Sequence, residues 1–369
     1  MYAFLSHGSA CEALRSLDGP RQTWPSEARG LPLSGACISN QRTFKELAKE
    51  ADFVALGVTS RPVDLLVPTQ AMRSRGKDAQ FHVWSGLVPA SSMLRLTEDV
   101  ILSGPELVIA QYCGAQAKFG ALLDRHVQAL RAEEDAIGMM GIDAPAVIDD
   151  PLARDSIERL VAATVLACEF AGTYRLGGDG TRYHASALMS RASLGVVLSQ
   201  LQGTTNRTRA AEVAGLFFEG SASPMETALT LFLALPVNFG GMGLPRPELN
   251  APVDVSRWRG VLAERDEVRP DMLWRSACVA AEYDSVEFHE QRGARQLEED
   301  ARRSNILTTC GYRVLRVTPG VVRSLYDAEL FARQLARLLD VELEVPSEVQ
   351  ALRRRRLFAL LMPQKRDFA

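Results

Sequence analysis

The sequence predicts a mixed α/β (α+β) protein with a separate N-terminal α/β domain, a helical middle and a C-terminal sheet flanked by helices. Three observations carry that prediction. Short apolar runs bounded by turn residues crowd residues 51–113, apolar residues recur at helical spacing from 115 to about 218, and from 219 onward the pattern orders as helix, strands, helix, strand, helix. A chain of 369 residues has room for two or three cores. The divisions expected are an α/β domain over 1–135, a helical connecting region over 136–219, a third domain over 220–345 and a basic tail over 346–369.

The elements follow in order. The first fifty residues hold only fragments of helical patterning, "CEALRSL" and "RTFKELAKEA". Strand candidates are "ADFVALGV" (51–58), "VDLLVP" (63–68), "QFHVWSGLVP" (80–89) and "DVILSGPELVIAQYC" (99–113). Between two of these, "PTQAMRSRGKDAQ" is a basic loop that suits solvent or phosphate. Helical spacing marks "AKFGALLDRHVQALRAEEDAIGMM", and also "DPLARDSIERLVAATVLACEFAG" with Pro151 at its start and Gly172 at its end. "GGDGTRYHA" (177–185) is a loop without the spacing of a phosphate-binding motif. Ser223, Pro224 and Glu226 form an N-cap, a first-turn proline and a capping-box acid for the helix in "EGSASPMETALTLFLALP". Strands linked by turns follow to 285, then a helix closed by Gly311, the strand "YRVLRVTP" and a last helix, "LYDAELFARQLARLLDV".

Composition excludes several classes. Hydrophobic residues make up 47% and charged residues 24%, the proportions of an ordinary globular protein. No run approaches the ~18 apolar residues of a membrane span, and the N-terminus lacks a basic-then-apolar leader pattern, so a cytoplasmic protein is expected. Six scattered cysteines without a CxxC pair argue against a zinc ribbon or a disulfide framework. The net charge of −3 is not that of a strongly basic DNA binder. Of 42 basic residues only five are lysine, a bias that fits either phosphate recognition or a GC-rich coding sequence.

Acidic residues cluster where the C-terminal strands end. Glu226 lies on the first helix of that region, Asp271 starts a strand, and Glu282 and Asp284 close the next one. Phosphodiester hydrolysis needs hard oxygen ligands that gather divalent cations. Side chains alternate along a strand, so Glu282 and Asp284 share a face, while Tyr283 between them offers a backbone carbonyl as a further ligand.

These blocks resemble the PD-(D/E)XK nuclease superfamily, and within it the very short patch repair endonuclease-like group, whose members read "PDFLW…VVEVDG…H" and then "GWRVLRFT". This chain has "PDMLWRSACVAAEYDSVEFH" and "GYRVLRVT", preceded by "SPMET" and "LPRPELNAPV". The likeness covers roughly 220–340. It implies a restriction-endonuclease-like central mixed sheet flanked by helices. It also implies Asp271 and Glu282 as ligands of Mg²⁺ (with Mn²⁺ able to substitute), Glu226 orienting a metal-bound water, and His289 in the place of a catalytic histidine. Arg302 or Arg303 would face phosphate or pair with the acids. The stretch from Gln291 to Arg316, with six arginines against three acids, fits contact with a nucleic-acid backbone through Arg302, Arg303 and Arg316. Asp284 stands where the superfamily has lysine, as is usual in this group; the departures from the group's own pattern are Ser285 where it has glycine and Phe288-His289 where it has two histidines.

Each residue also has a plainer reading. Glu226 suits a helix cap, Asp271 a turn, Asp284 a salt bridge to arginine, and His289 an ordinary surface position. "RRRR" (353–356) suits a solvated face as well as nucleic acid.

The N-terminal part resembles the front of AbiE-type antitoxin-like proteins in "VDLLVP", "FHVWSGLVP" and "DVILSGPELVIAQYC", with Gly104-Pro105-Glu106 in place of a Ser-Pro-Glu element. The expected function is a Mg²⁺-dependent DNA endonuclease acting on duplex, in phage defence or DNA repair, whose N-terminal domain chooses a target or a protein partner. The rivals are a non-catalytic DNA-binding antitoxin or transcriptional regulator that retains the fold, and a protein-interaction scaffold in phage defence. No membrane partner is expected.

Overall fold

The computed structural model describes residues 1–20, 33, 37–114, 157–178, 180–201, 205–260, 265–284 and 294–362. It is a mixed α+β structure that divides into two compact units, one of residues 1–122 and 159–217, the other of residues 123–158 and 218–369.

The first unit is built on a five-stranded mixed sheet of β1 (Ala3–Leu5), β2 (Val63–Val67), β3 (Ala79–Val83), β4 (Met93–Arg95) and β5 (Val100–Ser103), in the order β3-β2-β1-β5-β4. β1 lies parallel to β5 and antiparallel to β2, and β2 is parallel to β3. All three residues of β1 are buried, as expected of a central strand covered on both faces. Around the sheet lie α1 (His7–Ser16), α2 (Gln41–Glu50), α3 (Pro105–Tyr112), α4 (Ile157–Ala171), α5 (Arg191–Gln200) and α6 (Thr205–Leu216). α4 is buried without interruption from Leu160 to Ala171, so it shows no polar stripe. Inside this unit the Arg15 guanidinium donates to both carboxylate oxygens of Glu169, through Nε at 2.8 Å and Nη2 at 2.6 Å. The stretch 177–185 takes part in a two-stranded ribbon of β6 (Arg175–Gly177) and β7 (Gly180–Arg182).

Two predicted strands of this unit form differently. Residues 51–58 are turns: the Asp52 carboxylate accepts the Ala55 N–H, and Val58 N–H closes back on Phe53 O. The run 99–113 is a strand only to Ser103. Pro105 sits in the first turn of α3, where a missing N–H costs nothing, and the apolar residues beyond it wind as a buried helix.

The second unit orders as α7 (Pro224–Ala234), β8 (Glu248–Leu249), β9 (Val253–Asp254), β10 (Glu267–Val268), β11 (Met272–Trp274), β12 (Val279–Tyr283), α8 (Ala294–Thr309), β13 (Arg313–Val317), α9 (Leu325–Leu339) and α10 (Glu348–Leu361). Its four-stranded sheet runs β13-β12-β11-β8. β11 is antiparallel to both neighbours, while β13 returns through α8 to lie parallel to β12. Leu273 and Ala280 from the sheet meet Ile306 and Leu307 of α8 in one core with Val253 and Val255.

The expected basic tail is a helix. Ser347 caps α10 in a reciprocal capping box with Gln350. Arg354 is buried and pairs with Glu329 at 3.1 Å, and Arg353 donates to Asn238 O at 3.1 Å. Gly240 lets α10 approach: its φ is 92°, and a Cβ there would meet Arg353 O at 2.5 Å. No helix among the described residues is long and apolar enough to cross a membrane.

Candidate functional site

The β11–β12 hairpin sets the site. Met272 stands opposite Ala281, so the next residues in register, Asp271 and Glu282, face each other at the end of the pair. Alternation places Asp271 on the side of Leu273 and Glu282 on the side of Ala280, the sheet face that α8 covers. The Asp271 carboxylate turns back on the hairpin, where its Oδ2 accepts the Tyr283 N–H at 2.6 Å. Tyr283 itself is half-buried.

Glu282 is only 1% exposed, and neither of its carboxylate oxygens has an aligned hydrogen bond among the described residues. Arg303 sits one turn before Leu307 on α8, which points it at the same sheet face. Its Nε lies 2.9 Å from Glu282 Oε1. The pair is close but not aligned as a hydrogen bond, and it does not compensate for burial. Burial pushes the Glu282 carboxyl up to about 7 against the opposing charge of Arg303, and the neighbouring Asp271 adds to the rise.

Glu226 comes to the site from the first turn of α7. The Ser223 hydroxyl accepts the Glu226 N–H, which makes Ser223 the N-cap as its sequence position predicts. The Glu226 carboxylate departs from the capping-box pattern: Oε2 accepts from Ala222 N–H at 2.9 Å and from Asn250 Nδ2 at 2.8 Å. Burial, and then the charge of Asp271, push this carboxyl up to about 8, although three hydrogen bonds favour its ionised form.

Asp284 pairs with Arg316, whose Nε is 3.3 Å from Oδ2. Arg316 stands beside Glu282 in the parallel β12–β13 register. Arg302 is exposed. His289, with Ser285 and Phe288, lies outside the described residues.

The structure thus brings Glu226, Asp271 and Glu282 into one electrostatic neighbourhood. Among the described residues, however, no three His, Cys, Asp or Glu side chains gather closely enough to form a ready metal cluster. Each carboxylate is turned to a separate partner: Asp271 to Tyr283 N–H, Glu226 to Ala222 and Asn250, and Glu282 to Arg303. An open cleft of about 410 Å³ at the Trp274 end of β11 is lined by Pro245, Arg246, Glu248, Leu273, Trp274 and Arg275, and by none of Glu226, Asp271 and Glu282.

Sequence reasoning missed Asn250. With φ at 48°, it donates from Nδ2 to both Gly220 O and Glu226 Oε2. The signal available was "LPRPELN", since asparagine is among the few residues that adopt left-handed backbone and bond locally through the side chain. Comparison with family models, with curated proteins and with solved structures finds no match for this chain.

Proposed function

We propose that residues 220–345 form a metal-dependent DNA endonuclease domain of the PD-(D/E)XK, very short patch repair-like type, which hydrolyses phosphodiester bonds in phage defence or DNA repair. The observation that carries this reading is Glu282. A carboxylate that is nearly inaccessible, lacks aligned hydrogen bonds and faces a second carboxylate costs stability without structural return. Such a cost is typical of a functional position.

The donor set fits a hard divalent cation such as Mg²⁺ or Mn²⁺, since all three carboxylates offer oxygen and none offers a soft ligand. Asp271 and Glu282 would hold it, with the Tyr283 carbonyl as a further ligand. The metal, when bound, supplies Lewis acidity at a phosphate and lowers the pKa of a coordinated water. Glu226, with its raised pKa, is suited to hold or pass a proton near neutral pH. Arg316, at the surface beside Asp284, and Arg302, exposed on α8, suit contact with duplex phosphate. The N-terminal unit would choose the target or a protein partner, in the manner of the antitoxin-like proteins it resembles.

The test is Mg²⁺-dependent cleavage of duplex, mismatched and single-stranded DNA by the full chain. Asp271→Ala and Glu282→Ala should abolish cleavage and leave DNA binding intact. The separate engagement of the three carboxylates favours a second reading, a non-catalytic DNA-binding antitoxin or transcriptional regulator on the same fold. DNA binding by the wild type without cleavage of any substrate would select it.

A further inference from the structure

Two arginine–glutamate pairs in this protein are built in opposite ways. Arg15 and Glu169 are both almost fully buried, at 4% and 1% side-chain exposure, and the guanidinium donates to both carboxylate oxygens. Leu176 N–H adds a third donor to Glu169, at 3.1 Å. That pair is satisfied and permanent.

Glu282 and Arg303 are similarly close but differ in hydrogen bonding and in the exposure of the arginine. Glu282 is as buried as Glu169, yet neither of its oxygens has an aligned donor among the described residues. The Arg303 side chain as a whole is 37% exposed, although its Nε, the atom that faces Glu282, is buried. The exposed part of the Arg303 side chain gives it a way outward, whereas Glu282, at 1% side-chain exposure, has none. Asp284 and Arg316 repeat the pattern more loosely, at 3.3 Å with Arg316 46% exposed. Two acids at the end of β12 thus each carry an arginine that can reach water.

We propose that Arg303 is a displaceable counter-ion for Glu282, which competes with a divalent cation for the same carboxylate and so sets the metal affinity of the site. This rests on the metal-dependent reading above and adds the regulation of that site. The positive guanidinium occupies the place where a cation would be attracted, and its charge opposes any cation that Glu282 and Asp271 hold. Metal binding then requires Arg303 to swing outward, where the phosphate of a bound nucleic acid would receive it. Such competition also accounts for three carboxylates lying near one another without forming a cluster among the described residues. In this arrangement Arg303 is a positioning residue: it acts through Glu282 and is not itself required to touch the reacting atoms.

The experiment measures Mn²⁺ binding to the full chain by titration calorimetry and by the loss of the free Mn²⁺ resonance signal, at low ionic strength and without nucleic acid. The chains compared are wild type, Arg303→Ala, Arg303→Gln, Arg303→Lys and Glu282→Gln, each checked for folding by circular dichroism. Both neutral variants should bind Mn²⁺ about tenfold more tightly than wild type, because one opposing charge has been removed at ion-pair distance. Arg303→Lys should stay near wild type, and Glu282→Gln should lose binding. If wild type binds Mn²⁺ and the neutral variants bind it equally or more weakly, Arg303 is no competitor, and the metal reading survives alone. If neither wild type nor the neutral variants bind Mn²⁺, the metal reading itself falls and this inference with it. Failure of both neutral variants to fold would also overturn the proposal, since it would make the pair structural like Arg15–Glu169.

Discussion

The Asp271 carboxylate accepts the backbone N–H of Tyr283 at 2.6 Å, and this single bond ties the start of β11 to the end of β12. The residue that would hold a metal also closes the hairpin that presents Glu282. Structural and chemical roles of Asp271 are therefore separable by substitution.

Asp271→Asn keeps a side-chain oxygen for the Tyr283 N–H, whereas Asp271→Ala removes that acceptor. Asp271→Ala should cost about 1–3 kcal/mol in urea unfolding and Asp271→Asn much less. Both should abolish Mg²⁺-dependent cleavage. Equal destabilisation by the two would refute the role assigned to this bond.

The raised carboxyls make the protein less stable as pH increases. Glu226 and Glu282 take up protons more readily in the folded chain, at about 8 and about 7, than the ordinary 4.5 of an unfolded chain. Their contribution is complete below about pH 4.5 and is lost as pH rises through 7 to 8. Glu282→Gln removes one of these groups. It should raise stability at pH 8 by up to about 3 kcal/mol and flatten the fall between pH 5 and 8. Urea unfolding at a series of pH values reads this directly, and an unchanged or lower stability at pH 8 would count against an uncompensated Glu282.

His7 acts in the opposite direction in the N-terminal unit. Its ring stacks on that of His82 at 4.0 Å, and burial, with the charge of His82, holds its imidazole well below 6.5. A folded-state pKa below the unfolded one gives stability that is present above 6.5 and is lost as pH falls through the folded value. His7→Asn tolerates the positive φ of 44° and removes the titration. It should blunt the loss of stability on acidification below pH 6.5, with His82 ring resonances followed by NMR as the check.

The Arg15–Glu169 pair supplies the stability control. Glu169→Ala leaves a buried guanidinium without its carboxylate and should cost roughly 3–5 kcal/mol, while the double change to well-packed apolar residues should recover much of that. A loss under 1 kcal/mol in urea unfolding of Glu169→Ala would show that the pair is not the anchor its geometry describes.

Much of the secondary structure was legible in the chain. β2, β3, β11, β12 and β13 sit within runs of apolar residues, and α7 and α9 begin at Ser223 and Ser324, whose hydroxyls accept the N–H three residues on. These depend on local chemistry, which the sequence carries. The runs at 51–58 and 99–113 misled because apolar content alone does not separate a strand from a turn or a buried helix. The arginine run at 353–356 misled because charge suggests solvent until a partner such as Glu329 is known.

The candidate site divides along the same line. The spacing of Asp271, Glu282 and Glu226, and the cap at Ser223, could be read from the sequence, because strand alternation and helix capping are local rules. Only the tertiary structure decided that Glu282 is buried without aligned hydrogen bonds, that Asn250 and not the cap alone holds Glu226, and that Arg303 and Arg316 each sit on an acid. Those facts depend on which helix face meets which strand face across dozens of residues. Burial then sets the energy of each charge, and burial is a property of the assembled fold that no single stretch of sequence contains.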